Sequence, residues 1–284
     1  MPGTNPKPIR RPFKQRVRLA RDHVLGVLFQ SGVRAVPTFL GLGAAKSGTT
    51  SLSLMLNDHP QISMPRSVKE LHFFDEHYPK GKHWYFSMFS PNDAVGEITP
   101  SYLFMPECRD RIAEVLGSNV KFLVCLRDPV KRAYSHYCHA RNNWHTPRHR
   151  AAGYPQETLS FEEAIEAEPE RLKSGLYSIR HQSYFTKGLY ADQLRHFFER
   201  FPRKQFFVFL FETFVTSPQS VLYEIYQFLG VDPAFSRGQR LPKTNVQSDA
   251  SLSKEMRERL YKKYENAIND LETLLEWDLD VWRH

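Results

Sequence analysis

Cysteine is scarce in this chain of 284 residues: Cys108, Cys125 and Cys138 are an odd number and form no Cys-x-x-Cys pair. That excludes a disulfide scaffold and a cysteine zinc site, and makes a reducing compartment the expectation. Long apolar runs are missing too. Mean hydropathy is −0.51, and no stretch reaches the ~18 consecutive apolar residues of a membrane-spanning helix. Glycine and proline, at 14 and 19 residues, are too few for a collagen-like or low-complexity chain, and no internal repeat divides the sequence. What remains is 41% hydrophobic, which suffices for one large core without staples.

Acidic residues are absent before Asp22, a segment that holds seven basic ones: Lys7, Arg10, Arg11, Lys14, Arg16, Arg18 and Arg21. Removing those seven from the total of 39 leaves 32 basic residues against 31 acidic. The net charge of +8 therefore belongs to an arm, residues 1–36, ahead of a nearly neutral body, residues 37–284. The arm is expected to be partly disordered or helical, with weak contact to an anionic membrane surface and no nucleic-acid partner. The apolar run Val24–Phe29 is too short for a secretory signal, so a cytoplasmic location is expected.

From Pro37 onward, short β-type runs alternate with helical patterns, as in an α/β fold with a central, mostly parallel sheet flanked by helices. Strands are predicted at 38–43, 120–126 and 205–211, each followed by a helix, the latter two after a polar turn. Leu52, Met55 and Leu56 fall at helical spacing ahead of Pro60. Ser160-Phe161-Glu162-Glu163 is a capping-box pattern, and Ser217-Pro218 starts another helix that Gly230 stops. Leu260, Tyr264, Ile268, Leu271 and Leu275 mark one long amphipathic helix near the C-terminus.

The segment with chemistry is Gly43-Ala44-Ala45-Lys46-Ser47-Gly48-Thr49-Thr50-Ser51, at a strand end and opening a helix. Small residues let backbone N–H groups curl around a tetrahedral anion, the helix N-terminus adds partial positive charge, and Lys46 adds a full one. The loop is neither a Walker A motif, which needs Gly-Lys followed by Ser or Thr, nor a dinucleotide fingerprint, which needs a third glycine. A second segment, Arg127-Asp128-Pro129-Val130-Lys131-Arg132-Ala133-Tyr134-Ser135, also follows a strand, and its arginine suits bidentate phosphate binding.

The Lys46-Ser47-Gly48-Thr49-Thr50 order resembles the 5′-phosphosulfate loop of sulfotransferases that use 3′-phosphoadenylyl sulfate (PAPS). Arg127 and Ser135 are similar in spacing to that family's 3′-phosphate element. Lys69-Glu70-Leu71-His72-Phe73-Phe74 resembles a stretch of the heparan-type and related bacterial enzymes. The likeness continues in Gly96-Glu97-Ile98-Thr99-Pro100-Ser101-Tyr102, in Lys187-Gly188-Leu189-Tyr190, and in a C-terminal helix ending near Trp277 or Trp282. It spans roughly residues 37 to 282. Two departures stand out: Ile98 replaces a lysine of some glycan-modifying members, and 240–246 replaces the cysteine-bracketed loop of the heparan enzymes.

The resemblance implies a P-loop NTPase-like fold and sulfuryl transfer from PAPS to a hydroxyl or amine of a glycan or small-molecule acceptor. It casts Glu70 as the base, with His72 as the alternative base, and Lys46 at the leaving phosphate. Lys46, Ser47, Gly48, Thr49, Thr50, Ser51, Arg127, Ser135, Tyr190 and Lys243 would hold PAPS, without a metal. Lys69, Trp144 and Arg148 are assigned to the acceptor. His145 and His149 have i, i+4 spacing but are broken by Pro147, so no metal site is read there. Two other readings remain open from sequence: a P-loop small-molecule kinase, and a non-catalytic polyanion binder using the basic arm and the 139–150 stretch.

Overall fold

The computed structural model describes residues 35–65, 68–143, 155–242 and 252–283. All but the last two residues of the expected basic arm lie outside them, as do Trp144, Arg148 and Lys243. Along the chain run β1 (Phe39–Gly43), α1 (Thr49–Asp58), β2 (Ile62–Ser63), α2 (Gly81–Phe86), β3 (Ala94–Ile98) and α3 (Glu107–Leu116). There follow β4 (Lys121–Leu126), α4 (Pro129–Asn143), α5 (Phe161–Arg171), α6 (Leu176–His181) and α7 (Tyr190–Phe198). Last come β5 (Phe206–Leu210), α8 (Phe211–Thr216), α9 (Pro218–Leu229) and α10 (Lys254–Leu275).

The strands form one sheet in the order β2-β3-β1-β4-β5, with every pairing parallel. Alternation along the strands divides the interior in two. Leu40, Leu42, Phe122, Val124 and Leu126 pack with Val130 and Ala133 of α4, Leu194 and Phe197 of α7, and Leu260 and Tyr264 of α10. Phe39, Leu123, Cys125 and Phe209 point the other way, onto Leu52, Met55 and Leu56 of α1 and Leu222, Ile225 and Leu229 of α9. Helices thus cover both faces, which is why these strands read as continuous apolar runs.

Topology then places the site. From β1 the chain turns to β2 and β3 on one side, and from β4 to β5 on the other. The crevice at the carboxyl ends of β1 and β4 is therefore the switch point of the sheet, where open α/β folds bind ligands. The 43–50 loop and Arg127 both emerge there.

The structure adds the two-residue strand β2, which was not predicted, and departs from expectation in three further places. β3 was not predicted as a strand, because Gly96 and Glu97 interrupt its apolar pattern. β5 enters α8 directly instead of through a polar turn, since Phe211 and the buried Phe214 continue its packing. Ser217 stands at the N-cap of α9 but makes no side-chain cap bond; its N–H donates to the Thr213 carbonyl at 2.8 Å. The capping box of α5 forms as its sequence predicts.

Candidate active site

The loop between β1 and α1 makes its turn with two residues in the left-handed region, Lys46 at φ 72° and Gly48 at φ 75°. A Cβ at position 48 would lie 2.8 Å from the Phe211 ring, so glycine is required there for both conformation and space. The N-cap residue of α1 is Gly48, and no side-chain cap bond closes the helix among the described residues, which leaves its mouth, with Thr49 and Thr50, open to an anion. The Ser47 hydroxyl is buried beside it without a hydrogen-bond partner among the described residues.

Arg127 reaches the loop from β4. Its Nη1 donates to the Lys46 carbonyl at 3.0 Å, its guanidinium stacks 4.8 Å from the centre of the Phe211 ring, and its buried Nε has no partner among the described residues. It makes no ion pair with neighbouring Asp128, whose carboxylate accepts from the Val130 and Lys131 N–H groups and from the Tyr261 hydroxyl. The turn is fastened from behind. Tyr190 donates to the Arg127 carbonyl at 2.8 Å, while Glu212 accepts from the Asp128 N–H at 3.0 Å and from the buried Trp282 indole at 3.2 Å. Gly188, just ahead of α7, is needed because a Cβ there would sit 2.6 Å from the Tyr264 hydroxyl.

Charge accumulates at this point. Burial, followed by the nearby cations Lys69 and Arg127, brings the Lys46 ammonium down to a pKa of about 8, with Glu70 pulling the other way. Lys69 bridges loop and turn, donating to Thr50 Oγ1 at 2.7 Å and to Glu70 Oε1 at 2.6 Å.

From Glu70 a relay runs inward. His72 Nε2 lies 3.4 Å from Glu70 Oε2, and its Nδ1 lies 3.0 Å from the buried Asp75 Oδ2. Ser101 donates to that same Asp75 oxygen at 2.5 Å. Burial opposes charge on His72, but hydrogen bonds to Asp75 and Glu70 and the negative charges of Asp75 and Glu76 outweigh it and push the imidazole up to about 10. On Glu70, burial is likewise outweighed by His72 and Lys69, which hold the carboxyl at about 2. The outcome is a carboxylate, an imidazolium and a second carboxylate in line, with a cluster of cations beside the first.

A sequence model of the family described as "Sulfotransferase domain" matches residues 37–271. The chain belongs to the sulfotransferase family. Among its relatives, the membrane-associated sulfotransferase kil1 of Dictyostelium discoideum is 26% identical over 86% of this chain and 66% of its own length. Human heparan sulfate glucosamine 3-O-sulfotransferase 3A1 is 30% identical over 73% of this chain and 47% of its own length. The crystal structure of a sulfotransferase from Alicyclobacillus acidocaldarius superposes with a TM-score of 0.71 at 31% identity, covering 88% of this chain and all of that one. The chain thus spans two thirds or less of the curated relatives it matches.

In this sulfotransferase, Lys46, Thr50, Lys69, Glu70 and Arg127 converge from three separate segments, and His72 joins them through Glu70. Ser135 is buried on α4. Tyr190 is buried as well, with its hydroxyl committed to Arg127, so it orients that arginine from behind. Reading the sequence missed Asp75 and Ser101 as members of the relay. The signal for Asp75 was present, since His72-x-x-Asp75 places two polar groups three residues apart in an otherwise apolar turn. Among the described residues, no helix is long and apolar enough to cross a membrane.

Proposed function

We propose that this sulfotransferase moves a sulfuryl group from PAPS to a hydroxyl or amine of a glycan or small-molecule acceptor. The observation that carries the reading is the convergence of Lys46, Lys69 and Arg127 on an uncapped helix mouth beside Glu70. Unpartnered Ser47 Oγ and Arg127 Nε fit a phosphate-bearing donor, as does the surplus of cations. PAPS would supply an activated sulfuryl group on a phosphate leaving group.

The protein's own residues then have defined tasks. Lys46, the loop N–H groups and Thr49 and Thr50 bind and neutralise the 5′ end, while Arg127 and Ser135 take the 3′-phosphate. As the acceptor oxygen or nitrogen bonds to sulfur and the bond from sulfur to the phosphate oxygen breaks, Glu70 accepts the acceptor's proton. His72 lies between two carboxylates and already carries its proton at neutral pH, which favours Glu70 as the base. The human relative is named for a heparan sulfate glucosamine, in keeping with a glycan among the candidate acceptors.

Thermal unfolding with adenosine 3′,5′-bisphosphate, compared with ATP plus Mg²⁺, tests the donor. A ligand at ~100 times its Kd stabilises by ~2.7 kcal/mol, so a shift with the bisphosphate alone is expected. A shift only with ATP plus Mg²⁺ would move the assignment to a kinase.

A further inference from the structure

The turn that carries Glu70, His72 and Asp75 has no regular secondary structure of its own at Glu70–His72, and His72 sits in the left-handed region at φ 49°. A non-glycine residue holds that conformation only where its surroundings fix it. On its C-terminal side the His72 carbonyl accepts from the Glu76 and His77 N–H groups at 3.0 and 2.8 Å; the N–H groups of the turn are held through one side chain on β3. Glu97 is fully buried and accepts from four donors: the Tyr85 hydroxyl at 3.1 Å, the Tyr102 hydroxyl at 2.8 Å, Thr99 Oγ1 at 2.6 Å and the Leu71 N–H at 3.2 Å. Two of those donors pass the hold onward. Thr99 Oγ1 accepts from the His72 N–H at 3.4 Å, and the Tyr102 hydroxyl accepts from the N–H groups of Phe73 and Phe74 at 2.8 and 3.4 Å.

Four consecutive backbone amides, 71 to 74, are therefore bound by Glu97 directly or through one hydroxyl. They are the whole of the chain between the two carboxylates that clamp His72. We propose that Glu97 is a positioning residue for sulfuryl transfer: by gathering the 71–74 amides it sets Glu70, His72 and Asp75 in line. The proposal takes Glu70 as the base and so rests on the function proposed above.

A carboxylate suits the task because it is acceptor-only with about four lone-pair sites, and here four donors meet it. Glutamine would turn an NH₂ group toward two of them. Burial raises the Glu97 pKa, with its four donors pulling it down.

The test reads His72 directly, by NMR titration of its imidazole in the full chain. The groups facing it are Glu70, Asp75, Glu76 and the Ser101 hydroxyl, with Arg180 bound to Glu76 and to the Asp75 carbonyl. In the wild type, His72 is expected to remain protonated to a midpoint of about 10. Thr99→Val, which keeps the volume but breaks both of the hydroxyl's bonds, should lower that midpoint by at least about one pH unit, toward the ordinary histidine value. Thr99→Ser should restore it. Affinity for adenosine 3′,5′-bisphosphate, measured by calorimetry, should stay within about twofold in both, because among the described residues no hydrogen bond joins Glu97 or the Thr99 side chain to the donor loop.

A cooperatively melting Thr99→Val protein with an unmoved His72 midpoint overturns the proposal. If that variant does not fold, Tyr102→Phe and Glu97→Gln give the same reading by the same criterion. A wild type that fails to bind the bisphosphate removes the donor assignment, while the His72 midpoints still decide whether Glu97 orders the turn.

Discussion

Lys46 and Glu70 separate binding from chemistry. Lys46→Ala removes the only full charge within the donor loop itself and should abolish stabilisation by adenosine 3′,5′-bisphosphate in a melting assay. Glu70→Gln should leave that stabilisation in place while turnover falls by ~10²- to 10⁴-fold, the usual contribution of a positioned base. His72 and Glu70 also leave a pH signature in stability. His72, raised from 6.5 to about 10, contributes fully below pH 6.5, and that contribution is lost as pH rises through 10. Glu70, lowered from 4.5 to about 2, contributes above pH 4.5 and loses its contribution as pH falls through 2. The difference in Tm between wild type and His72→Gln should accordingly be greatest between about pH 4.5 and 6.5, and should shrink steadily toward pH 10. A difference that grew with pH would mean that His72 is neutral in the folded protein.

Helix starts carry the next set of consequences. Ser160 and Glu163 close a capping box on α5, far in function from the donor loop, so Ser160→Ala should cost ~1 kcal/mol in urea unfolding with bisphosphate affinity unchanged. Gly48→Ala acts at a helix start where the backbone is left-handed and the Phe211 ring is in the way. It should be clearly destabilising and should weaken bisphosphate binding together with stability. These two starts also mark how far sequence alone reaches. The α5 cap is written in four adjacent residues, and the segment from Gly43 to Ser51 in nine, so both were legible, as were β1, β4, β5 and α10 from their apolar spacing. β3 was not. Its middle residues, Gly96 and Glu97, oppose strand formation locally, and what makes them acceptable is distant: Phe39 on β1 excludes any side chain at position 96, and Tyr85 and Tyr102 satisfy the carboxylate at 97. The relay from Glu70 to Ser101 was half legible for the same reason. Glu70, His72 and Asp75 lie within six residues, but Ser101 meets them only once β3 pairs beside β1.

Across the whole molecule, basic and acidic residues beyond the first 21 nearly balance, so attraction for an anionic donor comes from placement and not from net charge. Lys46, Lys69 and Arg127 are gathered at the switch point of the sheet, and their mutual repulsion is relieved when an anion arrives. Lys46 feels this most. With its pKa brought down to about 8, it is about half discharged at pH 8, and a phosphate group beside it draws its proton affinity back up. Binding of adenosine 3′,5′-bisphosphate near that pH should therefore capture a fraction of a proton from solution. Calorimetry in buffers of different ionisation enthalpy would register this as a buffer-dependent heat of proton uptake near pH 8, with a sign opposite to that of a ligand phosphate losing its proton to the cationic site. The donor pocket would then act as a small alkali store: it withdraws acidity from its surroundings on loading and returns it when the spent nucleotide leaves.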